Sequence, residues 1–186
     1  MPWGLPEQPL GLTCSRPRCD PASLAVRLRL PEERWRCVLI SFGGLGLQLD
    51  PGLLARWPDH VFIGLDPALA AVPNGRLLPP DLRPLDVMPL VGRLITKAGY
   101  SSFCEAFSQG VGIHLVERQG FAEAPVLEKA LQDHGSHRLL RLDQLLLGDW
   151  QLDQPLLPPR LGELPDDGAS AAARALVAHA ESRANH

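Results

Sequence analysis

Three polar, glycine-bearing stretches carry the residue types that could do chemistry. The first is Phe42-Gly43-Gly44-Leu45-Gly46, directly after the apolar run Val38-Leu39-Ile40-Ser41. Glycines at the end of a strand let backbone N–H groups approach a phosphate, and a following helix adds partial positive charge at its amino terminus. The same glycines would also serve a plain tight turn, and spacing does not choose between the two. The second stretch is Lys97-Ala98-Gly99-Tyr100-Ser101-Ser102-Phe103-Cys104-Glu105-Ala106. Here Gly99 would permit an unusual backbone angle, Ser101 and Ser102 would bring hydroxyls and backbone donors to a helix start, and Glu105 lies one turn further in. A pyrophosphate on this turn would leave the Glu105 carboxylate to accept from ribose hydroxyls, a recognition role and not proton transfer. Ser102 and Glu105 also have the spacing of a capping box, which uses different groups and excludes nothing. The third stretch, Glu117-Arg118-Gln119-Gly120-Phe121-Ala122-Glu123-Ala124-Pro125, offers Arg118 to a phosphate and Glu123 to a sugar hydroxyl. As a solvated loop it would need no ligand, with Glu123 simply favourable near a helix amino terminus.

The histidines and cysteines suggest less. His134 and His137 flank Gly135, where a helix is expected to end, so they would not share a helical face; His134 suits a helix carboxyl terminus. His114 falls inside an apolar strand and reads as a core histidine. No Ser-His-Asp order or H-E-x-x-H pattern offers a hydrolase site. Cys14 and Cys19 lack two further ligands at metal spacing, so free thiols are expected and no metal site.

The elements that must position these stretches alternate. Asp20 is expected to cap a helix from Ala22 to Leu30, ended by Pro31. Strands are predicted at 38–42, 60–64, 76–78, 93–96, 111–116 and 138–142, and helices at 51–57, 86–91, from the Gly99 turn to about Gln109, at 124–134 and, as a short turn, at 143–147. Alternation implies right-handed crossovers and a mostly parallel sheet covered on both faces, with all three polar stretches at its carboxyl edge. The expected architecture is a Rossmann-like three-layer α/β sandwich over 36–150. A Pro-rich lead-in and short helix occupy 1–35, with residues 1 to about 20 extended or disordered. A Pro-rich linker and an alanine-rich helix, 169–184, fill 151–186. Such a helix is marginal alone in water and needs a partner surface.

Charge and hydropathy exclude other classes. The 186 residues hold 18 Lys and Arg against 21 Asp and Glu, a net charge of −3 with no basic block, so no nucleic-acid partner is expected. No apolar run reaches the roughly 18 residues a membrane span needs, and the amino terminus has no secretory signal. The expectation is a cytoplasmic protein with at most peripheral membrane contact.

The segments VLISFGGLGL (38–47), DVMPLVGRLITKAGYSSFCEAFSQGVGIHLV (86–116) and FAEAPVLEKALQDHG (121–135) together resemble the carboxyl-terminal, donor-binding half of GT-B glycosyltransferases. The resemblance is to family 28, the group of the peptidoglycan UDP-N-acetylglucosamine transferase, and to the transferase-like region fused to some sugar kinases. It covers about 36–150, and its middle block is the most specific part. It implies one half of a GT-B fold, with Gly43, Gly44 and Gly46 as a first phosphate-facing turn and Lys97 with Gly99, Tyr100, Ser101 and Ser102 as a second. Glu105 would meet the ribose, and Arg118, Phe121 and Glu123 would lie near the donor sugar. Leu45 departs from the small polar residue usual after the paired glycines, and Phe121-Ala122-Glu123-Ala124 replaces the glutamine-rich sugar loop.

The resemblance further implies metal-independent transfer from a UDP-sugar, which is substrate and not cofactor. The acceptor site and catalytic base would come from a separate or missing amino-terminal domain, so no catalytic residue is assigned to this chain. Two other readings stand beside it: a degenerate, non-catalytic transferase fold kept as an interaction module, and a nicotinamide-binding protein. The last fits less well, because Leu49 stands where the final glycine of G-x-G-x-x-G would fall.

Overall fold

In the computed structural model, which describes residues 9–43, 49–118 and 120–184, six strands form one sheet. They are β1 (Cys37–Ile40), β2 (Val61–Gly64), β3 (Gly75–Leu77), β4 (Arg93–Lys97), β5 (Gly112–Val116) and β6 (His137–Leu140). Every pairing is parallel, in the order β3-β2-β1-β4-β5-β6. This is the doubly wound Rossmann-like order, with its switch of direction between β1 and β4. The strands are apolar on both faces because both faces are covered. Cys37 and Leu39 enter one core and Val38 and Ile40 the other, and the neighbouring strands divide likewise, Ile63 from Phe62 and Leu94 from Ile95.

Four helices lie over the first face: α1 (Pro21–Leu28), α2 (Pro84–Val87), α3 (Tyr100–Ser108) and α4 (Ala124–His134). Asp20 caps α1 as its sequence position predicts, its carboxylate accepting from the Ser23 N–H at 2.9 Å. The second face is closed by two 3-10 turns, Pro51–Arg56 and Pro67–Ala71, by α5 (Leu142–Leu146), and by the fully buried Trp150, whose indole packs edge-on against Phe62. The sequence predicts an α-helix at 51–57 and nothing at 67–71. Asn74 explains the first difference: its amide donates to the carbonyls of Leu54, Trp57 and His60, which arrests the chain in a tight turn. Chain length explains the second. β2 ends at Gly64 and β3 begins at Gly75, which leaves about ten residues, near the minimum for any crossover. The helix expected at 86–91 starts earlier, at Pro84, and passes into a 3-10 turn at Met88–Leu90.

The lead-in is extended and pinned over residues 9–20. Leu12 is buried and exchanges backbone hydrogen bonds with Pro165 and Gly168, while the Arg18 N–H donates to Asp86. The proline-rich stretch 155–165 is likewise packed: Leu157 bridges His137 antiparallel at the sheet edge, and Arg160 and Leu161 donate to the carbonyls of Gln132 and Asp133. After it, α6 (Gly168–Ala184) stands largely in solvent, with Leu176 71% and Val177 57% exposed. Among the described residues no helix is long and apolar enough to cross a membrane.

Candidate functional site

The switch in strand order opens a crevice at the carboxyl ends of β1 and β4, the place where open parallel sheets bind ligands. Its floor is held by two hydrogen bonds: the Ser41 N–H donates to the Ile95 carbonyl at 3.1 Å, and the buried Thr96 hydroxyl donates to the Ser41 carbonyl at 2.6 Å. Above this tie the chain leaves β1 through Gly43 and leaves β4 through Lys97.

Gly43 takes φ +59°, a left-handed conformation that favours glycine, and a Cβ placed there would meet none of the described residues within 4 Å. The backbone angle, and not packing against the described residues, is what favours glycine here. Gly44 and Gly46, the other two glycines of the turn, lie outside the described residues. Gly99 corrects the expectation of an unusual angle. Its φ is −166°, ordinary extended backbone, and an added Cβ would make only van der Waals contacts at 3.9 and 4.0 Å.

Gly99 is also the N-cap of α3, so Ser102 sits inside the first turn and the expected Ser102–Glu105 capping box does not form. Because glycine has no side chain to offer, no side chain caps the first-turn N–H groups of α3, including those of Tyr100, Ser101 and Ser102. Lys97, half-buried at the end of β4, stands beside them. Burial and the nearby charge of Arg118 both push its pKa down. The Arg118 guanidinium lies 4.0 Å above the centre of the Phe121 ring, a cation–π contact that fixes the group without neutralising it. Neither Lys97 nor Arg118 has an acidic partner among the described residues. A chain of net negative charge thus sets two cations without acidic partners among the described residues on one carboxyl edge of the sheet.

Other predicted site residues diverge from this point. The Cys104 thiol, one turn along α3, is the main influence raising the pKa of the Tyr100 phenol. Glu105 is half-buried, its pKa raised by burial, and the charges it feels most are those of Arg83 and Asp86 beside α2. Glu123 is the exposed N-cap of α4 and makes no side-chain capping bond. The structure therefore sets Lys97, the α3 amino terminus and Arg118 with Phe121 along one sheet edge, while the charges that act most on the half-buried Glu105 are those of Arg83 and Asp86.

Two cavities flank the crevice. One, between the ends of β1 and β2, is about 280 Å³ and mostly apolar, with Gly43, Ser41 and Asp66 on its wall. The other, about 560 Å³, lies between the end of β5 and α4 and is lined by Arg118, Phe121, Glu128 and Lys129 among others. Asp66 escapes the sequence reading, yet Asp66-Pro67 repeats the Asp50-Pro51 pattern one strand later, and that repeat would have placed it at this edge. Asp86 also escapes it. Its carboxylate is fully buried and accepts from the backbone and guanidinium of both Arg18 and Arg83, at 2.9 to 3.3 Å; the Arg83 hydrogen bonds hold it well below the usual carboxylate range. It ties the lead-in to α2.

The remaining candidates are structural. His114 is fully buried in β5, as its apolar context predicts. The Nδ1 atoms of His134 and His137 lie at hydrogen-bond distance from the carbonyls of Gly162 and Gly135. All four cysteines are free thiols. Among the described residues no group of three or more His, Cys, Asp or Glu side chains is placed to hold a metal ion.

No protein-family model matches the chain, and no curated protein matches it. Among solved structures, the glycosyltransferase SnogD from Streptomyces nogalater is similar at 17% identity and a TM-score of 0.41, covering 75% of this chain and 43% of that one. The chain thus spans less than half the length of that structure. The Rossmann-like assignment rests on this chain's own strand order.

Proposed function

We propose that the chain binds the diphosphate of a nucleotide sugar, a UDP-sugar foremost, at the crevice between β1 and β4. In this reading it is the donor-binding half of a metal-independent glycosyltransferase of family 28 type. The observation that carries it is the placing of Lys97, at the end of β4, and Arg118, just past β5, on the same sheet edge as the glycine N-cap of α3, neither cation having an acidic partner among the described residues. Backbone N–H groups and two cations are the groups that stabilise a diphosphate, both as ligand and as the leaving group of glycosyl transfer. Acceptor and general base would come from another domain, so this chain supplies binding, orientation and charge stabilisation of the leaving group. Calorimetric titration of the folded chain with millimolar UDP and UDP-sugars tests it. Saturable binding that weakens with salt supports the reading, and silence with every nucleotide refutes it.

The long exposed helix α6 favours a second reading, a non-catalytic transferase fold that serves as an interaction module. A chain that ignores nucleotides yet forms a defined complex with a second subunit, lost when α6 is removed, would decide for it.

A further inference from the structure

We propose that the apolar cavity between the carboxyl ends of β1 and β2 seats the base of the nucleotide, and that Asp66 at its wall accepts from the ribose hydroxyls. The proposal deepens the nucleotide reading above and rests on it. The cavity, about 280 Å³, is walled by Ile40, Phe42, Leu54, Leu65, Pro67 and Leu69. That is a volume for one ring system, at the lower end of small-molecule sites. Two polar side chains, Ser41 and Asp66, complete the wall.

Asp66 is half-buried and only partly used. Its Oδ1 accepts from the Ala68 N–H at 2.9 Å, and its Oδ2 has no partner among the described residues. A carboxylate has about four acceptor positions, so capacity remains for the two donors of a vicinal diol. The geometry of the neighbouring elements agrees. Strand order β2-β1-β4-β5 sets the cavity, the β1/β4 crevice and the Arg118 loop side by side along one edge. Three strand spacings amount to about 14 Å, the length scale of an extended nucleoside diphosphate carrying a further group. Base, diphosphate and sugar would then follow one another along the edge from β2 toward β5. Glu105, the carboxylate that the family resemblance offers to the ribose, lies on α3, on the far side of β1 from this cavity. Among the described residues only Ser41 and Asp66 bring hydrogen-bonding side chains to the cavity wall, so burial is the main hold these residues offer a base.

Residue-resolved NMR of the full chain, with UDP and inorganic pyrophosphate as probes, tests the assignment. Pyrophosphate should shift the amide signals of 97–102 and Arg118 alone, while UDP should shift these together with Leu65, Asp66 and Ala68. Ala68→Phe, which fills the cavity, and Asp66→Asn should each weaken UDP binding about tenfold and leave pyrophosphate binding unchanged. Asp66→Asn keeps a side-chain oxygen for the Ala68 N–H, so it preserves the local turn if the larger side chain disturbs it. UDP binding that leaves residues 65–69 unshifted, or that is undiminished in Asp66→Asn, overturns the base and ribose assignment while the diphosphate reading stands. Silence toward both probes overturns both.

Discussion

Acidification should destabilise this protein in part through His114, by an amount the structure allows to be worked out. His114 lies at the middle of β5, fully buried, with its Nε2 2.8 Å from a guanidinium nitrogen of Arg93. An arginine can only donate, so Nε2 must accept, and the ring is the neutral tautomer with its proton on Nδ1. That Nδ1 has no hydrogen-bond partner among the described residues. Protonating Nε2 would set imidazolium against guanidinium in a buried site. Burial, followed by the charge of Arg93, accordingly pushes the His114 pKa down from 6.5 to about 3.

The sign follows from proton counting. Between pH 3 and 6.5 the unfolded chain carries a proton on this imidazole and the folded chain does not, so stability falls as pH falls through that window. From pH 7 to pH 4 the loss from this one group is at most ~3 kcal/mol, a large share of a typical domain's stability. Urea denaturation of the wild type and of His114→Gln, repeated at intervals from pH 7 to pH 4, measures it. Glutamine keeps an acceptor for Arg93 and cannot titrate. His60, whose pKa burial also lowers, titrates in the same direction and remains in both proteins. The variant's stability should therefore fall less steeply by about 1 kcal/mol per pH unit below pH 6. Parallel curves for the two proteins would refute the reasoning.

Three other substitutions separate ligand binding from folding. Lys97→Met should weaken UDP binding roughly tenfold or more while raising the melting temperature slightly, because it removes a partly desolvated charge repelled by Arg118; calorimetry and thermal melts read the two effects. Gly99→Ser should stabilise the fold by about 1 kcal/mol, since the backbone angle suits any residue and serine would cap α3, and it should weaken diphosphate binding by occupying the same N–H groups. Asp86→Ala should cost about 2 kcal/mol in urea denaturation by removing the buried acceptor of the hydrogen bonds from Arg18 and Arg83, whose exposed guanidinia then return to water, and should expose residues 9–20 to proteolysis.

The sequence carries the fold further than it carries the site, for a physical reason. Strands buried on both faces must be apolar throughout, so 38–40, 61–64, 94–96 and 112–116 stand out, and the glycines and prolines between them mark the connections. Periodicity could not distinguish an α-helix from a 3-10 turn at Pro51–Arg56, because the arresting hydrogen bonds come from Asn74, beyond the next strand. The candidate site was legible only where local order determines it. Lys97 and Gly99 must follow β4, and Arg118 must follow β5, so their common edge was readable. The surroundings of Glu105 were not, because its burial and the charges that act on it, those of Arg83 at the start of α2 and Asp86 within it, come from a distant part of the chain. Local spacing also misassigned Ser102, since the helix starts at Gly99 and not three residues later.

The distribution of charge gives the strongest reason to treat the β1/β4 edge as functional. Several cations elsewhere meet carboxylates: Arg27 meets Asp81 in a bidentate pair, Arg141 meets Asp143, and Arg18 and Arg83 converge on Asp86. Others, such as Arg34, Arg76 and Arg138, donate to backbone carbonyls, whereas the Lys97 and Arg118 side chains make no hydrogen bond among the described residues. Even the amino terminus of α1 has its carboxylate, Asp20. At the head of α3 the same chain places a glycine where a capping side chain would stabilise, and sets Lys97 near enough to Arg118 to depress its pKa. Each choice costs stability, and acidic residues are plentiful enough, at 21, to have relieved it. Unrelieved local conflicts of this kind are expected where a ligand completes the structure. A diphosphate supplies in one group what both features lack, negative charge for the two cations and acceptors for the open N–H groups.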